Sequence, residues 1–165
     1  IVFIGPRADT IELMGDKVRA RNFVAERGFP VSAMLARDIK ASNFTERGIS
    51  LTLESFDFKV LEQMQRVCGD VGEYVFLIDT WSEPRLDECS KIFDGVSFNH
   101  VLTKDGLLIE EAKARGLKVF LWTAKAEDAE GSVEEYFAQF VQSGADGVFA
   151  DHPDLLVGVA QGLAP

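Results

Sequence analysis

The stretch that most constrains the fold lies at residues 118–153, where two short apolar runs bracket one helical segment. The first run, residues 118–123, reads KVFLWT, and the second, residues 147–151, reads GVFAD. Runs this short and apolar are typical of strands buried on both faces of a parallel sheet. In α/β proteins the carboxyl ends of such strands hold ligands. The candidate site residues at these two ends are Trp122, Thr123, Asp151 and His152.

Strand-like and helical patterns alternate along the whole chain, which predicts an α/β fold with parallel strands. We count about seven strands, placed near Ile1, Val31 to Ile39, Leu51, Val75, Val96, Val119 and Val148. A complete (β/α)₈ barrel typically needs about 250 residues. The 165 residues of this chain therefore predict a TIM-barrel-like fold that is contracted or incomplete. No linker interrupts the pattern, so we expect one domain over residues 1–165.

The composition restricts the classes of partner. The formal net charge is -10, whereas nucleic acids and anionic membranes attract clustered Lys and Arg. An anionic substrate would need a divalent cation or a few well-placed lysines. No apolar run reaches the length of a membrane span, which favours a soluble protein, in the cytoplasm rather than the periplasm or outside the cell. Cys68 and Cys89 lack the spacing of metal ligands, and we expect buried free thiols.

The carboxyl-terminal part of the chain carries a detailed family motif. Residues 144–154 read GADGVFADHPD, and they follow the Trp122-Thr123 strand and a helix. This pattern resembles the end of the glycerophosphodiester phosphodiesterase family, over about residues 38–160 of this chain. The resemblance implies a barrel fold, metal-dependent hydrolysis of small glycerophosphodiesters, and a bound divalent cation, Ca²⁺ or Mg²⁺.

Residues 38–44, DIKASNF, resemble the E-I-K-A-P-x-F strand of the same family. The resemblance implies that Asp38 is a metal ligand, one methylene shorter than the family's glutamate, and that Lys40 contacts the phosphate. On a strand, residues two apart point to the same face, so both side chains would enter the barrel mouth.

Residues 50–56, SLTLESF, resemble the next family strand, [QS]-S-F-[DE], and place Ser55 at the substrate. Glu54 stands where the family often has a neutral polar residue. If Glu54 faces inward beside Asp38, the two carboxylates would share a metal or raise one pKa. If it faces outward, Glu54 is solvated charge.

The family's catalytic motifs H-R-G, E-x-D and H-D do not occur in this chain. Phosphodiester hydrolysis needs a cation, a base or nucleophile, and an acid. The two histidines, His100 and His152, follow strand ends and are acid and base candidates, or else loop and helix-cap residues. The ring of Trp122 either packs against the glycerol part of a substrate or belongs to the core. We therefore expect little or no hydrolysis by the chain as given.

The first part of the chain shows a different pattern. Residues 1–33 contain FIGP, MGDK and GFPV, which resemble the segment of biotin carboxylases that leads into their ATP-grasp region. That resemblance implies contact between Lys17 and ATP phosphates. Two alternatives to the phosphodiesterase therefore stand. One is a noncatalytic chimeric or engineered scaffold that forms homo-oligomers through exposed strand edges. The other is an ATP-binding carboxylase fragment.

Overall fold

The computed structural model describes residues 31–44, 46–80 and 85–162, with the backbone only for residues 31–34. The strands are β1 (Thr52–Ser55), β2 (Glu73–Ile78), β3 (Gly95–Asn99), β4 (Lys118–Ala124) and β5 (Gly147–Ala150). The helices are α1 (Val31–Ala41), α2 (Phe58–Cys68), α3 (Leu86–Ile92), α4 (Leu107–Ala114), α5 (Val133–Gln142) and α6 (Pro153–Gly162). Short 3-10 helices follow β3 (His100–Thr103) and β4 (Ala126–Asp128).

The five strands form one parallel sheet in the order β1-β2-β3-β4-β5. The sheet curls into a half-barrel, which confirms the predicted α/β, incomplete TIM-barrel-like class. Strands β1 and β5 are its edges within the described part of the chain. The strand expected at Ile1 lies outside the described residues, as does Lys17.

The two faces of the sheet differ in what covers them, because successive strand residues point to opposite sides. One face packs on the helices and forms the core. Its buried strand residues are Leu53, Tyr74, Ile78, Val96, Phe98, Val119 and Leu121. The strand register shows which residues lie on the opposite face of the sheet, which we call the inner face. The inner face carries Glu54, Val75, Leu77, Ser97, Phe120 and Trp122.

An Asp-Gly pair begins two of the strands and ties each to its neighbour. The Asp94 carboxylate accepts a 2.8 Å hydrogen bond from the Tyr74 amide, and the Asp146 carboxylate accepts one of the same length from the Val119 amide. Burial opposes ionisation of Asp146, but the Val119 amide and the nearby Lys113 ammonium group keep the pKa of that carboxyl below its usual value. Asp94 and Asp146 therefore satisfy strand amides that begin β2 and β4.

Helix α2 begins and ends with ordinary capping residues, whereas α3 and α4 begin without a side-chain cap. Asp57 accepts a hydrogen bond from the Val60 amide at the start of α2, and Gly69 ends that helix with a φ of 69°.

Cys68 and Cys89 are buried free thiols, as predicted. Burial raises the pKa of Cys89 to about 11, which makes its thiol unreactive. None of the described helices is long and apolar enough to cross a membrane.

The strand that we predicted over Val31 to Ile39 is wrong, because these residues form helix α1. Ala36 and Ile39 are buried at a spacing of three, which is a helical period. The side chain of Asp38 is 65% exposed and pairs with Arg37. Residues two apart on a helix point to different sides, so the argument that brought Asp38 and Lys40 to one barrel mouth does not hold.

The acidic segment from Glu127 to Glu135 divides into two pieces. A 3-10 turn occupies Ala126–Asp128, and α5 starts only at Val133. Ser132 explains the second start, because its hydroxyl oxygen accepts a hydrogen bond from the Glu135 amide as an N-cap.

Candidate functional site

The carboxyl ends of the five strands meet at one edge of the half-barrel, as expected for a parallel sheet. Side chains from all five strand ends therefore lie along this edge. They are Phe56 after β1, Asp79 after β2, Asn99 and His100 at the end of β3, Trp122 and Thr123 on β4, and Asp151 and His152 after β5. Five sequence-predicted candidates thus share one edge, which we call the carboxyl edge: His100, Trp122, Thr123, Asp151 and His152.

Two aromatic side chains form the apolar part of the carboxyl edge. The rings of Phe56 and Trp122 meet edge to face with centroids 5.4 Å apart. Phe56 is 58% exposed, whereas Trp122 is half-buried and its indole N–H donates a 3.1 Å hydrogen bond to the Ser97 carbonyl. Because its N–H is already bonded, Trp122 offers a fixed apolar surface. Sequence reasoning missed Phe56, although its place beside Ser55 in the SF motif was a usable signal.

Polar groups lie beside these rings. The Asn99 amide donates a long hydrogen bond of 3.4 Å to the Asp79 carboxylate, which links the ends of β2 and β3. The Ser97 side chain is fully buried on the inner face, and its hydroxyl has no hydrogen-bond partner among the described residues. A buried hydroxyl without a partner is uncommon in proteins. The Ser97 hydroxyl therefore makes the inner face polar next to Trp122.

Glu54 belongs to the inner face, because it is in register with Val75 and alternates with the core residue Leu53. One of its carboxylate oxygens is buried without a hydrogen-bond partner among the described residues, and burial raises the pKa of the carboxyl. Glu54 therefore faces inward, while a metal shared with Asp38 stays a prediction. Ser55 differs, since its hydroxyl oxygen accepts a 3.0 Å hydrogen bond from the Asp57 amide at the start of α2.

The two histidines occupy equivalent places in a short internal repeat that sequence reasoning missed. Residues 94–100 read DGVSFNH and residues 146–152 read DGVFADH. Each segment consists of the Asp-Gly strand start, a strand, a polar residue and a histidine. Because both strands are parallel and begin in the same way, His100 and His152 leave the sheet at the same edge.

Two acidic residues of the 3-10 turn after β4, Glu127 and Asp128, act on the two histidines. The His152 Nε2 atom lies 3.8 Å from a carboxylate oxygen of Glu127, while its Nδ1 is buried without a hydrogen-bond partner among the described residues. Burial lowers the pKa of His100, whose ring packs on Phe140, although the charge of Asp128 acts in the opposite direction. Burial therefore disfavours the charged imidazolium form of His100.

The residues that the structure describes do not fit the divalent cation that the family resemblance implies. No group of three or more His, Cys, Asp or Glu side chains within the described ranges is arranged to hold a metal ion. Of the predicted ligands, Asp38 lies on α1, where its exposed carboxylate pairs with Arg37, and Glu54 lies on β1. Divalent cations need several oxygen ligands at short range, which this part of the chain does not assemble.

Comparison with protein families gives a direct result. The family model described as the glycerophosphoryl diester phosphodiesterase family matches residues 19–155. This match covers well over half of the chain and includes all five strands. The chain belongs to the glycerophosphoryl diester phosphodiesterase family. The match begins upstream of residue 38, where our resemblance began, and no comparison shows the biotin carboxylase resemblance of residues 1–33.

Solved structures share the fold of this family member. A protein from Silicibacter pomeroyi, named as a glycerophosphoryl diester phosphodiesterase, has a TM-score of 0.61 at 16% identity over 80% of this chain and 45% of its own. The corresponding values for a glycerophosphodiester phosphodiesterase from Parabacteroides distasonis are 0.59, 15%, 81% and 53%.

A third neighbour adds a ligand to the comparison. A phosphodiesterase from Oleispira antarctica, solved with the product sn-glycerol-3-phosphate, has a TM-score of 0.56 at 17% identity over 68% of this chain and 42% of its own. The chain thus spans about half the length of these relatives. A search of functionally curated proteins gave no match.

Proposed function

We propose that the carboxyl edge binds small glycerophosphodiesters and that this chain by itself hydrolyses them slowly or not at all. Family membership supports the class of ligand. The Oleispira antarctica neighbour, which holds sn-glycerol-3-phosphate, supports the glycerol phosphate part. The observation that carries the proposal is the exposed Phe56 ring against Trp122 at the strand ends, where family members of this fold bind ligands.

The aromatic pair suits the glycerol part of such a ligand. Carbon-bound hydrogens of a glycerol backbone pack on aromatic rings, and its hydroxyls need polar groups nearby. Asn99 and Asp79 supply an amide and a carboxylate at the adjacent strand ends. Phe56 and Trp122 are thus the apolar wall, and Asn99 and Asp79 are the polar partners.

Slow hydrolysis follows from the catalytic groups present. The reaction needs charge stabilisation at the phosphate, activation of water and a proton for the departing alkoxide. His100 and His152 are available as proton donors and acceptors, and we retain them as candidates. However, the family's catalytic motifs do not occur in the sequence, and the described residues do not assemble a metal site for Ca²⁺ or Mg²⁺. The metal roles of Asp38 and Glu54, and the phosphate contact of Lys40, remain predictions.

Ligand affinity tests the proposed binding edge. We expect Phe56→Ala to weaken binding of sn-glycerol-3-phosphate and glycerophosphocholine about fivefold or more, because it removes the exposed ring of the wall. Isothermal titration calorimetry measures the affinity. Trp122→Leu should have the same direction of effect.

The control for this experiment is Ile49→Ala, which removes an exposed apolar side chain just before β1, at the amino ends of the strands. It should leave the affinity unchanged. Equal losses in Phe56→Ala and Ile49→Ala, with unchanged melting temperatures, would refute the assignment of the carboxyl edge.

A second candidate function is a noncatalytic scaffold that associates with itself. The observation in its favour is that β1 and β5 are edges of the described sheet, and that Phe149 on β5 is also exposed. Sedimentation at several concentrations distinguishes this candidate, since a mass that rises with concentration indicates association. ATP binding through Lys17 also remains a prediction, and ATP would raise the melting temperature if it binds the folded chain.

A further inference from the structure

A cleft of about 930 Å³ lies outside the inner face, between the 3-10 helix after β3, the start of α4 and helix α5. Its wall includes Leu121, which belongs to the helix-facing side of the sheet. The volume is that of a typical small-molecule site. His100 is the one residue that the cleft shares with the carboxyl edge. Its other main groups are Asp128, Glu130, Glu135, Tyr136 and Phe140.

The charge of this cleft is predominantly negative. Four carboxylates line it, from Asp105, Asp128, Glu130 and Glu135, and Lys104 is the cation among its lining residues. None of the four carboxylates forms an ion pair with a described residue. A concave surface lined by one sign of charge concentrates its field, and here the field favours a cation.

His100 adds a neutral acceptor to the cleft. Its ring packs against Phe140 at 5.1 Å between centroids, and its nitrogens make no hydrogen bond within the described ranges. Burial favours the neutral imidazole, which has one ring nitrogen that accepts a hydrogen bond. A hydroxyl group on the ligand would satisfy this nitrogen.

Aromatic rings complete the wall. Tyr136 and Phe140 lie 5.2 Å apart on one side of α5. The Tyr136 hydroxyl is buried and has no partner of normal hydrogen-bond geometry among the described residues, although the Lys125 amide is close enough to affect its pKa. Aromatic surfaces attract organic cations, above all ammonium groups with low hydration.

The same residues argue against a metal ion. The carboxylates come from separate segments around the cleft, and no three potential ligands in the described part of the chain converge on one point. A metal ion needs converging oxygens at short range, whereas an organic cation spreads its charge over several atoms and suits dispersed carboxylates.

We propose that this cleft is a separate binding site for a small organic cation that carries a hydroxyl group, of the size of choline. The carboxylates attract the ammonium group, the rings of Tyr136 and Phe140 pack beside it, and His100 accepts a hydrogen bond from the hydroxyl. The site uses neither the inner face nor Trp122, and His100 is the residue that it shares with the carboxyl edge.

Choline is the probe, and the neutral isostere in which carbon replaces the ammonium nitrogen is the matched control ligand. By NMR titration of the full chain, choline should shift the resonances of His100 and Tyr136 and bind about tenfold more tightly than the isostere. Equal affinities for the two ligands, or no choline binding at millimolar concentrations, would overturn the proposal.

Variants locate the site. Asp128→Asn and Glu130→Gln should each weaken choline binding about two- to fivefold, and Lys104→Gln should strengthen it. Glu110→Gln is the control, because Glu110 is an exposed acid on α4 that does not line the cleft. If Glu110→Gln weakens binding as much as Asp128→Asn, the effect is one of net charge and the proposed site is wrong.

The pH dependence gives an independent readout at His100. Asp128 and Lys104 act on the charge of its ring, and the other charged groups that line the cleft are Asp105, Glu130 and Glu135. As pH falls through the His100 pKa, which lies below its usual value, the imidazolium repels the ligand and choline affinity drops. His100→Gln should remove that drop. An unchanged drop in His100→Gln would contradict the role given to His100.

Discussion

Gly95→Ala is expected to lower the free energy of unfolding by about 2–4 kcal/mol, because a side chain at this position has no room. A Cβ on Gly95 would lie 2.7 Å from the carbonyl oxygen of Lys118 and 3.1 Å from its Cβ. Gly95 and Lys118 are direct partners in the β3–β4 ladder, so backbone has to move. Because Gly95 has no side chain, the Lys118 side chain can pass over it to reach Glu73 on β2. Urea unfolding measures the change.

The control is Gly131→Ala in the loop before α5, where a Cβ would meet nothing within 4 Å. Here the free energy of unfolding should change by about 0.5 kcal/mol or less, in either direction. Should Gly95→Ala behave like Gly131→Ala, the close contact between β3 and β4 would not exist in solution.

Phe98→Ala is expected to lower the free energy of unfolding by about 3–5 kcal/mol, because it removes a buried ring and leaves a cavity. Phe98 is on the helix-facing side of β3 and is fully buried. It directly precedes Asn99 and His100, so its packing holds that part of the carboxyl edge. Chemical denaturation followed by circular dichroism measures the loss.

Phe56→Ala is the matched control, since it removes the same side chain at a site that is 58% exposed. We expect a change in the free energy of unfolding of about 1 kcal/mol or less, together with the weaker ligand binding described above. The two variants therefore separate folding from binding. A large stability loss in Phe56→Ala would show that its ring is part of the core.

The sequence was a good guide to the sheet. Five of the seven predicted strands are present in the described structure, each from an apolar run with Gly or polar residues at its ends. The strand over Val31 to Ile39 was wrong because the resemblance of DIKASNF to a family strand outweighed the helical spacing of Ala36 and Ile39. A motif similarity does not fix local conformation when the periodicity of the segment differs.

The candidate site was only partly predictable. Strand ends identified Trp122, His100 and His152, because parallel topology alone brings them to one edge. The repeat DGVSFNH and DGVFADH was visible in the sequence and would have linked the two histidines. The pairing of His152 with Glu127, and the contact of Phe56 with Trp122, depend on distances between distant segments that no local pattern encodes.

The family of this chain and the catalytic groups in its described part lead to different expectations about hydrolysis. The fold and the family match are those of glycerophosphoryl diester phosphodiesterases, yet the chain spans about half the length of its solved relatives. We propose that its strand ends bind the organic portion of a phosphodiester. The carboxylates and histidines that such a reaction needs for a metal ion do not converge in its described part.

Phosphorus NMR of glycerophosphocholine mixed with the folded protein tests this account most directly, because one spectrum reports both binding and hydrolysis. We expect the phosphodiester resonance to broaden or shift, less so with Phe56→Ala, and no sn-glycerol-3-phosphate resonance above background with Ca²⁺, Mg²⁺ or EDTA. Metal-dependent appearance of sn-glycerol-3-phosphate that Asp38→Ala abolishes would contradict the account and show that the chain assembles a complete hydrolytic site.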